Sequence, residues 1–261
     1  MTTTLGAKGI SNRGFHDFLI EVQKGTVTGH TVVHKFGRND AVPNGTWAFV
    51  SLLGHTAWPL SAATTVRVKA GNAADTAAGN GAREITVQGV DSSFNETSET
   101  LATAGESASA STTTSFWRVH RTWVSAVGVY GAANTAAVVI ENTAGDTDLI
   151  KIGIEEGQSQ FGAWSVPNNK VACLLGATVT VDALKPADVR FSLRNNFDDT
   201  TAPMSSRRIQ NYWDGLSGVF NFLPMSPGPI ISNKADLWFE ARGSGAGTEV
   251  SVDFEMLVVD L

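Results

Sequence analysis

The chain has 261 residues, a mass of 27.5 kDa, a formal net charge of −6 and a pI near 5.3. That length buries a large core without help from disulfides or metals, and a single cysteine, Cys173, forms no internal bridge. No basic run gives the footprint of a nucleic-acid binder, no apolar stretch approaches the length of a membrane span, and the opening "MTTTLGAKG" lacks the layout of a signal peptide.

In chain order, the first element is a short helix. "FHDFLIEVQKG" sets Phe15, Phe18, Leu19 and Val22 at helical spacing, and Gly25 is placed to stop it, so the expectation is a helix over Phe15 to Gln23. A helix this short needs something to pack on, either its own domain or a neighbouring subunit.

"GHTVVHKFGRND", residues 29 to 40, follows. His30 and His34 have the spacing of two metal ligands on a helix, but the β-branched "TVV" between them favours extended chain. In a strand the two share a face at roughly 13 Å, too far for one metal. With no third ligand motif beside them, no metal or other cofactor is expected.

From Thr64 onward the chain alternates apolar and polar residues with period two. "TTVRVK" and "REITVQGV" read as strands, then "TAGESASASTTTS" (103 to 115) as a surface loop or weak edge, then "SFWRVHRTWVSAVG" as a strand with Trp117, Val119 and Trp123 on one face. After a soft boundary at "IEEGQSQFGAWSVPNNK", "VACLLG" places Cys173 in a core run. "ADVRFSLRN" sets Val189, Phe191 and Leu193 against Arg190, Ser192 and Arg194. "KADLWFEARG" and "TEVSVDFEM" repeat the alternation, the latter with Val250, Val252, Phe254 and Met256. Turn signals separate the strands: "GNGA", "ENTAGDTD", "VPNNK", "MSPGPI" and "GSGAG". The fold class expected is all-β, an antiparallel sandwich of jelly-roll-like character, as one sandwich or two in tandem. The division expected is an arm at 1–45, a β-sandwich region at 46–155 and a second at 156–261.

Sites for chemistry are sparse. Glu155 with Glu156, or Asp146 with Asp148, lie in turns, whereas glycoside hydrolysis needs two acids facing across a cleft. "AGDTD" offers alternate oxygen ligands of the kind calcium takes, without the rest of a calcium loop. "GNGAREI" leads into a strand, so it lacks the helix N-terminus that holds phosphate. No G-x-S-x-G occurs. The expectation is a protein that is not an enzyme. Tyr212 and Trp213 in "NYWDG" are the candidate exposed aromatics for a glycan or protein partner.

Several segments in combination resemble a family of virion structural proteins of tailed bacteriophages, notably marine and cyanobacterial ones. They are "EVQKGTVTGHTVVHKFGRNDAV", "WPLSAATTVRVKAG", "DTAAGNGAREITVQGVDSSFNETSETL", "GQSQFGAWSVPNNKVACLL" and the closing "KADLWFEARGSGAGTEVSVDFEMLVVDL". "VPNNK" departs from the family's "VPAGK"-like turn, but Asn tolerates left-handed backbone. The resemblance implies a particle component located in the virion and assembled in the host cytoplasm. The expected station is capsid decoration or cement, with the major capsid protein or other virion proteins and its own copies, as a trimer, for partners, and with no nucleic acid or membrane. A tail- or fibre-associated adhesin is the alternative. On this reading residues 1 to 40 contribute little to the core and grip a neighbour. Phe15, Phe18, Leu19 and Val22 supply apolar surface, and Phe36 supplies an anchor beside His34, Lys35 and Arg38.

Overall fold

The computed structural model describes residues 17–223, 229–245 and 247–261. Among them one helix, α1 (Phe18–Gln23), precedes sixteen strands, all paired antiparallel within their sheets. The expected all-β antiparallel class is the class found. Asp17 caps α1 by accepting hydrogen bonds from the backbone N–H of Leu19 and Ile20, and Val22 turns inward. Phe15 lies outside the described residues.

The strands form two bodies. The first contains β3 (Val66–Ala70), β4 (Ala82–Asp91), β5 (Glu96–Ala102), β6 (Phe116–Val127), β7 (Val138–Asn142) and β8 (Asp148–Ile152). They make two three-stranded sheets, β3-β7-β8 and β5-β4-β6. Their inward residues, among them Val66, Val68, Ile85, Val87, Ile140 and Ile150, share one core.

The second body takes strands from both ends of the chain. One sheet runs β1 (His30–Val42), β16 (Thr248–Asp260), β10 (Lys170–Val181), β13 (Gly218–Phe222), with β14 (Ile230–Ile231) also on β10. The other runs β12 (Arg208–Leu216), β11 (Ala187–Arg194), β15 (Asp236–Gly243), β2 (Ala48–Phe49), with β9 (Ala163–Ser165) also on β15. The two pack face to face: Val179, Val252 and Phe254 of the first meet Val189, Phe191 and Phe239 of the second, and the Phe239 and Phe254 rings lie 5.1 Å apart. The first body is thus inserted between β2 and the later strands of the second.

This arrangement corrects the reading of residues 1–45 as a separate arm. β1 is a thirteen-residue strand of the second body, paired with β16 from His30↔Val259 to Val42↔Thr248. The inward positions of β1 are Lys35, Gly37, Asn39 and Val42, with Val33 partly buried against the core, so most of its buried middle carries no apolar signal. Gly37 is required by proximity: a Cβ there would lie 2.1 Å from the carbonyl oxygen of Val50 and 2.2 Å from the nitrogen of Gly162.

Candidate functional site

The strip expected to grip a partner faces the inserted body of its own chain. Lys35 is buried; its Nζ donates to the backbone carbonyl of His120 and lies 5.9 Å from the centroid of the Phe161 ring. Arg38 pairs with Glu156, in the turn after β8, and with Asp40 on its own strand. His34 pairs at 3.2 Å with Asp253 of β16, and its carbonyl accepts from the Arg121 guanidinium. Phe36 is half-buried beside the His34 ring, and its carbonyl accepts from the N–H of Phe161. Val22 is buried and Leu19 half-buried, while Phe18 stays about half exposed against the edge of the His30 ring. Lys35 is therefore enclosed within its own chain and Arg38 pairs with its own chain's carboxylates, which corrects their assignment to an acidic partner.

The expected aromatic pair separates as well. Tyr212 is half exposed, near Asp188 and with its ring 5.7 Å from Trp47. Trp213, on the opposite side of β12, is partly buried and packs against the core between Phe222 at 5.3 Å and Phe239, stacked at 6.4 Å.

The exposed apolar surface lies elsewhere, where the two sheets of the second body part. β12 and β13 each end a sheet. Between them and β14 is a groove of about 570 Å³ walled by Leu174, Phe191, Leu193 and Phe222. Leu223 and Ile230 stand on it with 80% and 74% of their surface exposed. Val219 and Ile209 are also exposed on the same two edge strands but do not line the groove. Large apolar side chains in such a group mark protein contact surfaces. In the sequence they sit in alternating strands, and nothing there distinguishes an outward apolar residue from an inward one.

A second concave feature is polar. A cleft of about 620 Å³ opens between β1 and the β5-β4-β6 sheet, lined by Lys35, His120, Arg121, Lys170, Glu96 and Gln88 among others. Burial, with the neighbouring positive charges of Lys35 and Arg121, pushes the His120 imidazole well below its ordinary pKa. Burial, helped by the Arg121 charge, does the same to Lys35. Among the described residues no group of three or more His, Cys, Asp or Glu is placed to hold a metal ion, and no helix is long and apolar enough to cross a membrane.

No family model and no curated protein matches the chain. Among solved structures, the chain is similar to T=1 particles derived from infectious bursal virus, at 10% identity over 89% of this chain and 70% of that one, with a TM-score of 0.25. It is similar also to infectious bursal disease virus, Gx strain, at 10% identity over 89% and 76% of the two chains, with a TM-score of 0.19. Both likenesses are weak, and scores this low carry no argument about fold or function.

Proposed function

We propose that the chain is a structural component of a tailed-phage virion, a decoration or cement protein of the outer head shell that works by assembly and not by turnover. The observation that carries this reading is the strand order of the second body. Leaving out the short β9 and β14, its eight strands in chain order are β1, β2, β10, β11, β12, β13, β15 and β16. The first, eighth, third and sixth form one sheet; the second, seventh, fourth and fifth form the other. That order supports reading the body as a double Greek key of the jelly-roll kind, which occurs in viral capsid proteins and also in lectin-like domains. A fold alone does not fix a function. The resemblance of five separate segments to phage virion proteins is what selects the virion reading among the jelly-roll functions.

On this reading the apolar groove between β12 and β13, and not the N-terminal strip, is the surface that meets a neighbouring virion subunit, whether the major capsid protein or a second copy in a trimer. The alternative, a host-binding tail protein, draws mainly on Tyr212, since Trp213 is partly buried against the core. Quantitative mass spectrometry of purified particles, with labelled antibody to place the protein, tests the proposal. Hundreds of copies distributed over the head are expected. A few copies at the tail would select the adhesin, and absence from particles would overturn both.

A further inference from the structure

The polar cleft beside β1 is built in a way that assembly does not require. In β6 the register against β4 slips between Gln88↔Arg121 and Gly89↔Val119, so His120 is the extra residue of a β-bulge. Bulges re-aim side chains, and they occur often beside functional sites. Here the bulge puts Val119 into the core of the inserted body and turns His120 toward β1, its ring 6.0 Å from that of Trp164. His120 is 1% exposed, and neither of its ring nitrogens has a hydrogen-bond partner among the described residues. Two buried ring nitrogens without partners are costly in a folded chain unless a ligand or solvent answers them.

The charges around the ring are also unbalanced. Lys35, fully enclosed, donates to a carbonyl and meets an aromatic face, but forms no ion pair among the described residues. Arg121 spends one nitrogen on the carbonyl of His34. Lys170 lies 3.3 Å from Asp260 and 3.9 Å from Glu96. Glu96, the carboxylate lining the cleft, is held by Lys170 and by the Gln88 amide at 3.1 Å. Glu96 also acts on the Arg121 guanidinium, so Lys35 is the cleft cation without a carboxylate partner among the described residues, in a partly enclosed site where a charge interaction is stronger than at the surface.

We propose that this cleft binds a small oxyanion of the phosphate class, gripped at its inner end by Lys35 and His120 with Arg121 at the mouth. Lysine and arginine both bind phosphate, one as a point charge and the other as a planar fork. A bound dianion also reverses the electrostatics that oppose charge on Lys35 and His120. This site is independent of where the protein sits on a particle.

The test is calorimetric and thermal titration of the full chain with sodium phosphate, against sodium chloride at equal ionic strength. Saturable binding of one phosphate per chain is expected, with a rise in Tm that chloride does not reproduce. Lys35→Met, which keeps the apolar stem, and His120→Leu should each weaken phosphate binding at least tenfold. Equal shifts with chloride, or variants that bind as the parent does, would overturn the site. If either variant fails to fold, the ring resonances of His120 in the parent decide. They should move with added phosphate while those of His55, which does not line the cleft, stay in place; a stationary His120 removes the proposal. Glycerol phosphate titrated in parallel separates the sources. Tighter binding than inorganic phosphate supports an esterified ligand using the rest of the cleft, and equal or weaker binding supports the free anion.

Discussion

Arg118 and Asp236 meet across the boundary between the two β bodies in a two-pronged ion pair, Nη2 to Oδ2 at 2.9 Å and Nε to Oδ1 at 3.1 Å. Both side chains are almost wholly buried, at 4% and 0% exposure. Asp236 also accepts from the Ser165 hydroxyl at 2.6 Å, and Arg118 donates to the Leu60 carbonyl while lying over the Trp58 and Phe197 rings. Around them, Phe49, Trp58, Phe161 and Trp238 form a continuous aromatic contact. The inserted body is joined to the second body by a satisfied polar pair inside an apolar collar.

Removing one partner of this pair leaves the other buried and uncompensated. Asp236→Asn is expected to cost about 3–5 kcal/mol of unfolding free energy. The double replacement Arg118→Met, Asp236→Leu should cost clearly less than Asp236→Asn, because no charge is left behind. Urea denaturation of the three proteins checks this; equal losses in single and double variants would show that the pair's charge is not the cause.

Two glycines test whether close approach or backbone conformation matters more. Gly37→Ala forces a methyl into the backbone of Val50 and Gly162, neither of which can rotate away. Gly45→Ala meets open space and suffers only its left-handed φ of +74°, a strain of roughly 1–2 kcal/mol. Gly37→Ala should therefore be the more damaging of the two in a thermal melt, although both lie in the N-terminal fifty residues.

The sequence makes some of this visible and hides the rest for physical reasons. β11 and β16 are legible because one parity of each, Val189 to Leu193 and Val250 to Val258, is apolar and faces the same core. β1 is not legible as a core strand. The middle of its buried side is Lys35, Gly37 and Asn39, between the apolar Val33 and Val42, and these three meet backbone and polar groups, including the Phe49 carbonyl that Asn39 donates to at 3.0 Å. The partner of β1 is β16, more than two hundred positions away, and the inserted body hides that closure. In β6 the bulge breaks the alternation that grouped Trp117, Val119 and Trp123, so consecutive residues Val119 and His120 are both buried. A histidine flanked by arginines in an aromatic strand was the available signal of the cleft, and period-two reading assigns it no face.

Deleting residues 1–42 removes an entire strand, exposes the ladder edge of β16, takes Lys35 and Arg38 away from the inserted body and removes the Asn39 bond to β2. The expected result is loss of the cooperative unfolding transition in a thermal or denaturant melt. A truncated protein that still melts as one sharp transition would mean that β1 adds little to the second body. Arg38→Ala in the intact chain, by contrast, loses a half-exposed pair and should cost no more than about 1 kcal/mol.

The apolar groove makes a separable prediction for assembly. Leu223 and Ile230 are mostly exposed, so Leu223→Asp with Ile230→Asp should leave Tm within a few degrees of the parent. Particle binding or self-association should fall at least tenfold, read by co-sedimentation and analytical ultracentrifugation. Unchanged association would move the contact surface off the β12–β13 side of the molecule.

Acid should destabilise the fold well before the carboxylates titrate, and His120 is the main reason. Its folded pKa lies well below the ordinary 6.5, first through burial and then through the charges of Lys35 and Arg121. His55 is lowered too, chiefly by burial. Between the folded and unfolded pKa values the unfolded chain binds more protons than the native one, so unfolding free energy rises with pH in that window. The stability is complete above about 6.5 and drains away as pH falls below it. The lowered carboxylates Glu99, Asp146 and Asp188 act in the same direction, but only below their ordinary values of 4.5 and 3.8. Denaturant midpoints measured from pH 7.5 down to 5 in chloride buffer should therefore fall in the parent. His120→Leu should flatten most of that slope and His55→Gln a smaller part of it. The Glu96 carboxylate, already held by Lys170 and Gln88, does not supply the counter-charge that would prevent the loss. Phosphate should: its presence raises the pKa of His120 toward the ordinary value and shallows the slope in the parent, while leaving that of His120→Leu unchanged. A parent whose stability is flat from pH 7.5 to 5 would show that His120 is not held neutral by its surroundings.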